Sequence, residues 1–190
     1  MNKKDNDYLL GCFAHYMTPQ RAYYGGILIT DVQGVPKEFR HSEAVRPSRL
    51  QATLYGESLE ECLGTDALAP ALYESIRLKP DILLIDKEGR ELFGPYVNAN
   101  APAVLLVPLA DRDLAFADVL SKDSDLLDAY DYDLKGSTTE RIYAYINDIG
   151  NTVTQILAIA QKRMNIISPF GRIRTALAEI SLVDSGRTDK

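Results

Sequence analysis

The order of patterns along this chain predicts an α/β fold: a mixed sheet with helices on its faces, followed by a C-terminal helical hairpin. Three observations carry that expectation. The first third holds three β-forming segments separated by turn residues, the pattern of a three-strand meander. Two unbroken apolar runs, Ile82 to Ile85 and Ala103 to Val107, lack the alternation of a half-solvated strand and read as central parallel strands covered on both sides. The last third repeats apolar residues at helical spacing.

Taken in order, Tyr8 to Met17 is an aromatic and aliphatic strand closed by Thr18-Pro19, and Tyr23 to Val32 is a second. Asp31-Val-Gln-Gly34 is a turn in which glycine supplies positive φ, and Val35 to Ser42 returns as a third strand. Pro36 cannot donate to a ladder, so this third strand is expected at a sheet edge. His15 and His41, late in the first and third strands, are expected at opposite ends of the meander. Neither belongs to a close pair that would hold a metal. Arg46-Pro-Ser48 opens a helix carrying Leu50, Leu54, Tyr55, Leu59, Cys62 and Leu63, which Gly64-Thr-Asp66 is expected to stop. A second helix then places Leu68, Ala71, Leu72 and Ile76 on one face, with Pro70 in its first turn.

Residues 111–133 hold eight aspartates against Arg112 and Lys122, the composition of a solvated acidic connection. Asp123, Asp125 and Asp128 within it lack the glycine and terminal glutamate of a calcium loop. Ser137-Thr-Thr-Glu140 is a capping-box pattern. After it Ile142, Ile146, Ile149, Val153, Ile156 and Ala160 recur at a seven-residue period, which predicts one long helix to Arg163. Ser168-Pro169 starts a final helix with Phe170, Ile173, Leu177 and Ile180 on one seam. The expected organisation is a sheet domain at 1–110, an acidic linker at 111–136 and a helical part at 137–190.

Composition excludes several classes. With 190 residues, 46% apolar and 25% charged, the chain is neither disordered nor fibrous. A net charge of −6 excludes an overall basic surface for nucleic acid or anionic lipid. No apolar run spans a bilayer and no signal-like core follows Lys3 and Lys4, so the expected compartment is the cytoplasm. Cys12 and Cys62 form no metal or disulfide pattern. No phosphate-binding loop, nucleophile elbow or zinc-protease motif occurs.

Two sets of residues remain as candidates. Arg40, Arg46 and Arg49 concentrate positive charge at a strand-to-helix junction, with Tyr55 one or two turns on. Such arginines can grip a phosphate or carboxylate, or can pair with Glu38, Glu43 and Glu57. The stripe Ile142, Tyr145, Ile146, Ile149 and Val153 suits a protein partner or self-association through the C-terminal helices.

The meander followed by helical crossovers into parallel strands resembles the order of the ribonuclease H-like fold. The run Lys79-Pro-Asp-Ile-Leu-Leu-Ile-Asp86 resembles the fourth-strand segment of the endonuclease V proteins of that superfamily. The resemblance implies divalent metals, Mg²⁺ or Mn²⁺, held by carboxylates from the first strand, the first helix and the fourth strand. Asp86 matches the fourth-strand ligand, and Glu57, Glu60 or Glu61 the helix ligand. The first strand, Leu9 to Tyr16, contains no acid, and Asp31 lies by the hairpin. The stretches Glu38 to Gly56 and Ser168 to Arg174 also resemble a family of uncharacterised bacterial proteins, which implies no activity. The expectation is a non-catalytic binding or scaffold subunit of a larger bacterial assembly with no cofactor. Its partner is a protein, with nucleic acid as a partner class that the net charge does not favour. The alternative is a divergent metal-dependent nuclease using Asp86 and a helix glutamate.

Overall fold

The computed structural model describes residues 6–86, 89, 103–108, 129–133, 141–146 and 151–188. Strands β1 (Leu9–Met17), β2 (Tyr23–Asp31) and β3 (Pro36–His41) form the expected antiparallel meander. Asp31 builds the turn between β2 and β3. One of its carboxylate oxygens accepts the backbone N–H groups of Gln33 at 2.9 Å and Val35 at 3.0 Å, and the other meets Lys37 Nζ at 2.9 Å. Gly34 then takes a φ of +79°, which a side chain would oppose. β3 lies at the edge, and Pro36, its first residue, sits across a bulge at Ile29/Thr30.

β4 (Ile82–Asp86) pairs parallel with β1, and β5 (Ala103–Pro108) pairs parallel with β4. Among the described strands the order is β3-β2-β1-β4-β5-β7-β6, with β6 (Ala129–Asp133) and β7 (Arg141–Ile146) antiparallel to each other and β7 antiparallel to β5. Both apolar runs are therefore interior to the sheet. Ile82, Leu83, Leu84 and Ile85 are 0–3% exposed, as a strand covered on both faces must be.

Alternation along the strands sends side chains into two cores. On one face Phe13, Ile27, Ile29, Leu83 and Ile85 pack with Leu68, Leu72 and Ile76 from the segment after β3. On the other, Leu10, Cys12, Leu28, Ile82 and Leu84 pack beneath α4 (Asn151–Arg163) and α5 (Ser168–Thr188), through Ile156, Leu157, Phe170, Ile173 and Leu177. α5 begins at Ser168-Pro169 as expected, and its Phe170, Ile173 and Leu177 are buried. β2 presents a glycine to each layer. A Cβ on Gly25 would stand 2.9 Å from Leu72, and one on Gly26 would stand 2.7 Å from Ile173.

Three expectations are corrected. The long helix over 137–163 is a strand, β7, followed by a shorter helix, α4. A spacing of four between Ile142 and Ile146 is also two strand periods, and Ile142, Tyr143, Tyr145 and Ile146 are β-branched or aromatic. The sheet thus takes strands from all three expected segments, including β6 from within the acidic stretch. Gly64-Thr-Asp66 does not stop a helix. The backbone passes from α1 (Arg49–Tyr55) through a 3₁₀ turn at Gly56–Ser58, α2 (Leu59–Cys62) and a π turn at Leu63–Leu68 into α3 (Ala69–Ser75). The break falls instead at Gly56, whose φ is +54°. Finally, His15 and His41 lie at the same end of the meander, level with Gly25 and Gly26, because β1 and β3 both run antiparallel to β2. They point to opposite faces, His15 with Phe13 and His41 with Phe39. The calcium-like aspartates Asp123, Asp125 and Asp128 lie outside the described residues.

Candidate functional site

Asp86 ends β4 and shares a sheet face with Ile82 and Leu84, the face that α5 covers. One oxygen of its carboxylate accepts the Gly89 backbone N–H at 2.9 Å, and the other is ion-paired with the Arg174 guanidinium from α5. The β1 positions on the same face toward its Asp86 end are Cys12, paired with Leu84, and Ala14, one residue beyond the last β1–β4 pair. Both are 0% exposed and neither is an acid. Burial pushes the Cys12 thiol far above its ordinary value, with nearby Arg172 opposing and Asp86 reinforcing that rise, so it is an inert core thiol.

The helix glutamates stand elsewhere. Glu60 accepts the Tyr23 hydroxyl at 3.3 Å, and Tyr23 belongs to the core on the face away from α5. Glu57 and Glu61 are exposed on the same helical stretch. The sheet separates Asp86 from Glu60. A divalent cation held by protein oxygens needs several acids or carbonyls to converge within about 2–2.6 Å of one point. Among the described residues no three His, Cys, Asp or Glu side chains converge in this way. The metal set that the ribonuclease H-like resemblance implies is not present in them. A guanidinium holds Asp86 instead.

The arginine cluster divides in the same manner. Arg40 on β3 pairs with Glu38 at 2.8 Å. Glu38 in turn accepts the backbone N–H groups of Leu78 at 2.9 Å and Arg77 at 3.0 Å, tying the end of the α3 segment to the edge strand. The Leu78 N–H, opposed by burial and joined by the Arg77 N–H and the Arg40 guanidinium, holds the Glu38 carboxyl below its ordinary value. Arg46 stands at the Tyr24 hydroxyl together with Asp184 of α5. Burial raises that phenol, Asp184 adds to the rise and Arg46 opposes it. Arg49 and Tyr55 begin and end α1, and both are exposed.

α1 itself is capped by a complete capping box, Ser48 with Gln51, yet it buries no residue. Leu50 is 67% exposed, Leu54 73% and Tyr55 47%. The apolar spacing that predicts a helix here is correct, but the helix presents this row outward. Of the stripe Ile142, Tyr145, Ile146, Ile149 and Val153, the first three lie in β7, Val153 lies in α4 and Ile149 is outside the described residues. They do not form one helical seam. Sequence reasoning missed Arg174 as the partner of Asp86. The two are 88 positions apart, and the packing of α5 on the sheet alone brings them together.

No helix among the described residues is long and apolar enough to cross a membrane. No family model matches the chain, and no curated protein matches it. Solved structures do. The catalytic domain of human endonuclease V is similar with a TM-score of 0.50 at 12% identity, over 94% of this chain and 84% of that one. A second structure of human endonuclease V gives 0.49 at 13% identity, over 94% and 86%. Endonuclease V of Ciona intestinalis, bound to DNA containing an inosine followed by a ribo-adenosine, gives 0.48 at 10%, over 91% and 87%. At these identities the likeness is one of fold. The chain has an endonuclease V-like, ribonuclease H-like α/β fold.

Proposed function

We propose that this protein is a non-catalytic binding or scaffold subunit, built on a ribonuclease H-like fold and acting in the cytoplasm within a larger bacterial assembly. The observation that carries the reading is the separation of the acids. Asp86 faces α5 and is paired with Arg174, Glu60 faces the other way and meets Tyr23, and β1 has no carboxylate beside either. Two-metal phosphodiester cleavage needs acids that bridge cations about 3.5–4 Å apart, an arrangement these positions do not support. The exposed row of α1, flanked by Arg46 and Arg49, is the surface on which a partner is best placed.

A second reading, a divergent metal-dependent nuclease, is favoured by one fact: Asp86 ends the fourth strand of a fold shared with a nuclease domain. Incubation with single- and double-stranded DNA and RNA in Mg²⁺ or Mn²⁺ decides between them. The expected result is intact nucleic acid. Cleavage that disappears in Asp86→Ala overturns the non-catalytic reading.

A further inference from the structure

We propose that Arg174 is a built-in cation, its guanidinium standing at the carboxyl end of β4, at the residue that the endonuclease V resemblance implies as a metal ligand. This deepens the non-catalytic reading and rests on it. The Asp86 side chain is 14% exposed and that of Arg174 26%, so the carboxylate is largely withdrawn from water and requires a counter-charge. A divalent cation would need further acids, and among the described residues none converge on Asp86: Glu60 is across the sheet at Tyr23, and Asp184 of α5 is engaged at the Tyr24 hydroxyl. A guanidinium carries a single charge, which one carboxylate neutralises. The remaining carboxylate oxygen is already taken by the Gly89 N–H at 2.9 Å.

The arginine is delivered by the fold rather than by a free side chain. Ile173, its immediate neighbour on α5, is 1% exposed and lies against the bare face of Gly26. Two residues before Arg174, Arg172 donates to the Gly34 carbonyl at 3.0 Å in the turn between β2 and β3. The core contact and the turn contact fix α5 along its axis, and that position sets Arg174 at Asp86. Docking of α5 and neutralisation of Asp86 are one event. The domain is therefore electrostatically complete at this point without a metal.

Thermal unfolding, together with the electron paramagnetic resonance signal of free Mn²⁺, tests this on the full chain. The wild type should melt at the same temperature in EDTA and in millimolar Mn²⁺, and should leave the free Mn²⁺ signal unchanged. Arg174→Gln should lower Tm by about 4–8 °C, and adding Asp86→Asn should recover part of that loss by removing the unpaired charge. Arg174→Lys, which keeps the charge, should fall less. If Arg174→Gln does not fold, a double variant that does fold supports the assignment equally. Equal Tm values for wild type and Arg174→Gln overturn it, as does Mn²⁺ uptake by the wild type that Asp86→Asn abolishes. Such uptake without nucleic-acid cleavage leaves the non-catalytic reading standing. Cleavage that persists in Asp86→Asn, with no Mn²⁺ uptake by the wild type, overturns that reading and supports Arg174 as the internal cation.

Discussion

The two faces of the sheet are covered by different kinds of helix. On one, α5 runs unbroken for 21 residues across β1 and β2. On the other, residues 49–75 pass through α1, a 3₁₀ turn, α2, a π turn and α3. A continuous helix carries charges at fixed offsets from its buried seam, so Arg172, Arg174 and Asp184 each reach a set partner on or beside the sheet. A broken helix does not keep one face inward, and Leu50 and Leu54 turn to solvent. The α5 face settles its charges on the sheet and exposes large apolar residues only near its C-terminal end, at Leu182 and Val183, whereas on the other face α1 buries no residue at all.

The sharpest way to break this comparison is at the adjacent glycines of β2. An added methyl on Gly26 meets the branched methyl of Ile173 at 2.7 Å, while one on Gly25 meets the far end of Leu72 at 2.9 Å. A leucine tip can swing aside more cheaply than a β-branched methyl on a docked helix. Gly26→Ala should cost about 2–3 kcal/mol in urea unfolding and Gly25→Ala about 1. Equal costs would mean that the two layers are held with equal rigidity.

A smaller effect comes from Glu38, which ties the fragmented layer to the edge strand. Its folded pKa is depressed below the ordinary value of 4.5, so its stabilisation is complete above that pH and is lost as pH falls through the folded value. Glu38→Gln should lower stability by about 1 kcal/mol at neutral pH, given one ion pair at the surface and backbone donors that the amide still partly satisfies. The gap from wild type should close as pH falls through the depressed folded pKa of Glu38. A gap that persists at low pH would assign the effect to packing.

The smallest effect belongs to α1. Leu50→Ser with Leu54→Ser should shift stability by no more than about 0.5 kcal/mol per site, because both side chains are already in water. A loss of several kcal/mol would show that the row is covered in solution by another part of the molecule or by a second copy. Sedimentation of the same variant separates these two cases.

Much of the fold was legible because its signals are local. Strands β1 to β3, the edge position of Pro36, the interior runs of β4 and β5, and the Ser168-Pro169 start of α5 each rest on a few consecutive residues. β7 was not legible, because a four-residue apolar spacing serves both periods and the capping pattern at Ser137 favoured the helix. The candidate site was legible by composition and not by arrangement. Asp86 and the absence of an acid on β1 can be read directly. Strand and helix periodicity cannot say that Glu60 would face away from Asp86, because that depends on how the segment after β3 crosses the sheet. Arg174 is hidden for a related reason: nothing near position 86 calls for position 174.

The placing of β1 between β2 and β4 has a kinetic consequence. β1 joins β2 through a short connection, but its parallel bonding to β4 begins with Leu9 and Asp81, 72 positions apart. Closing that span costs chain entropy before any ladder bond repays it, and the contacts of α5 with β1 span more than twice that distance. The meander is the part of the sheet that can assemble from its own neighbours. The strand at the heart of the domain therefore waits, paired on one side, for chain that is made much later. Until β4 arrives, its free edge is a template for mispairing.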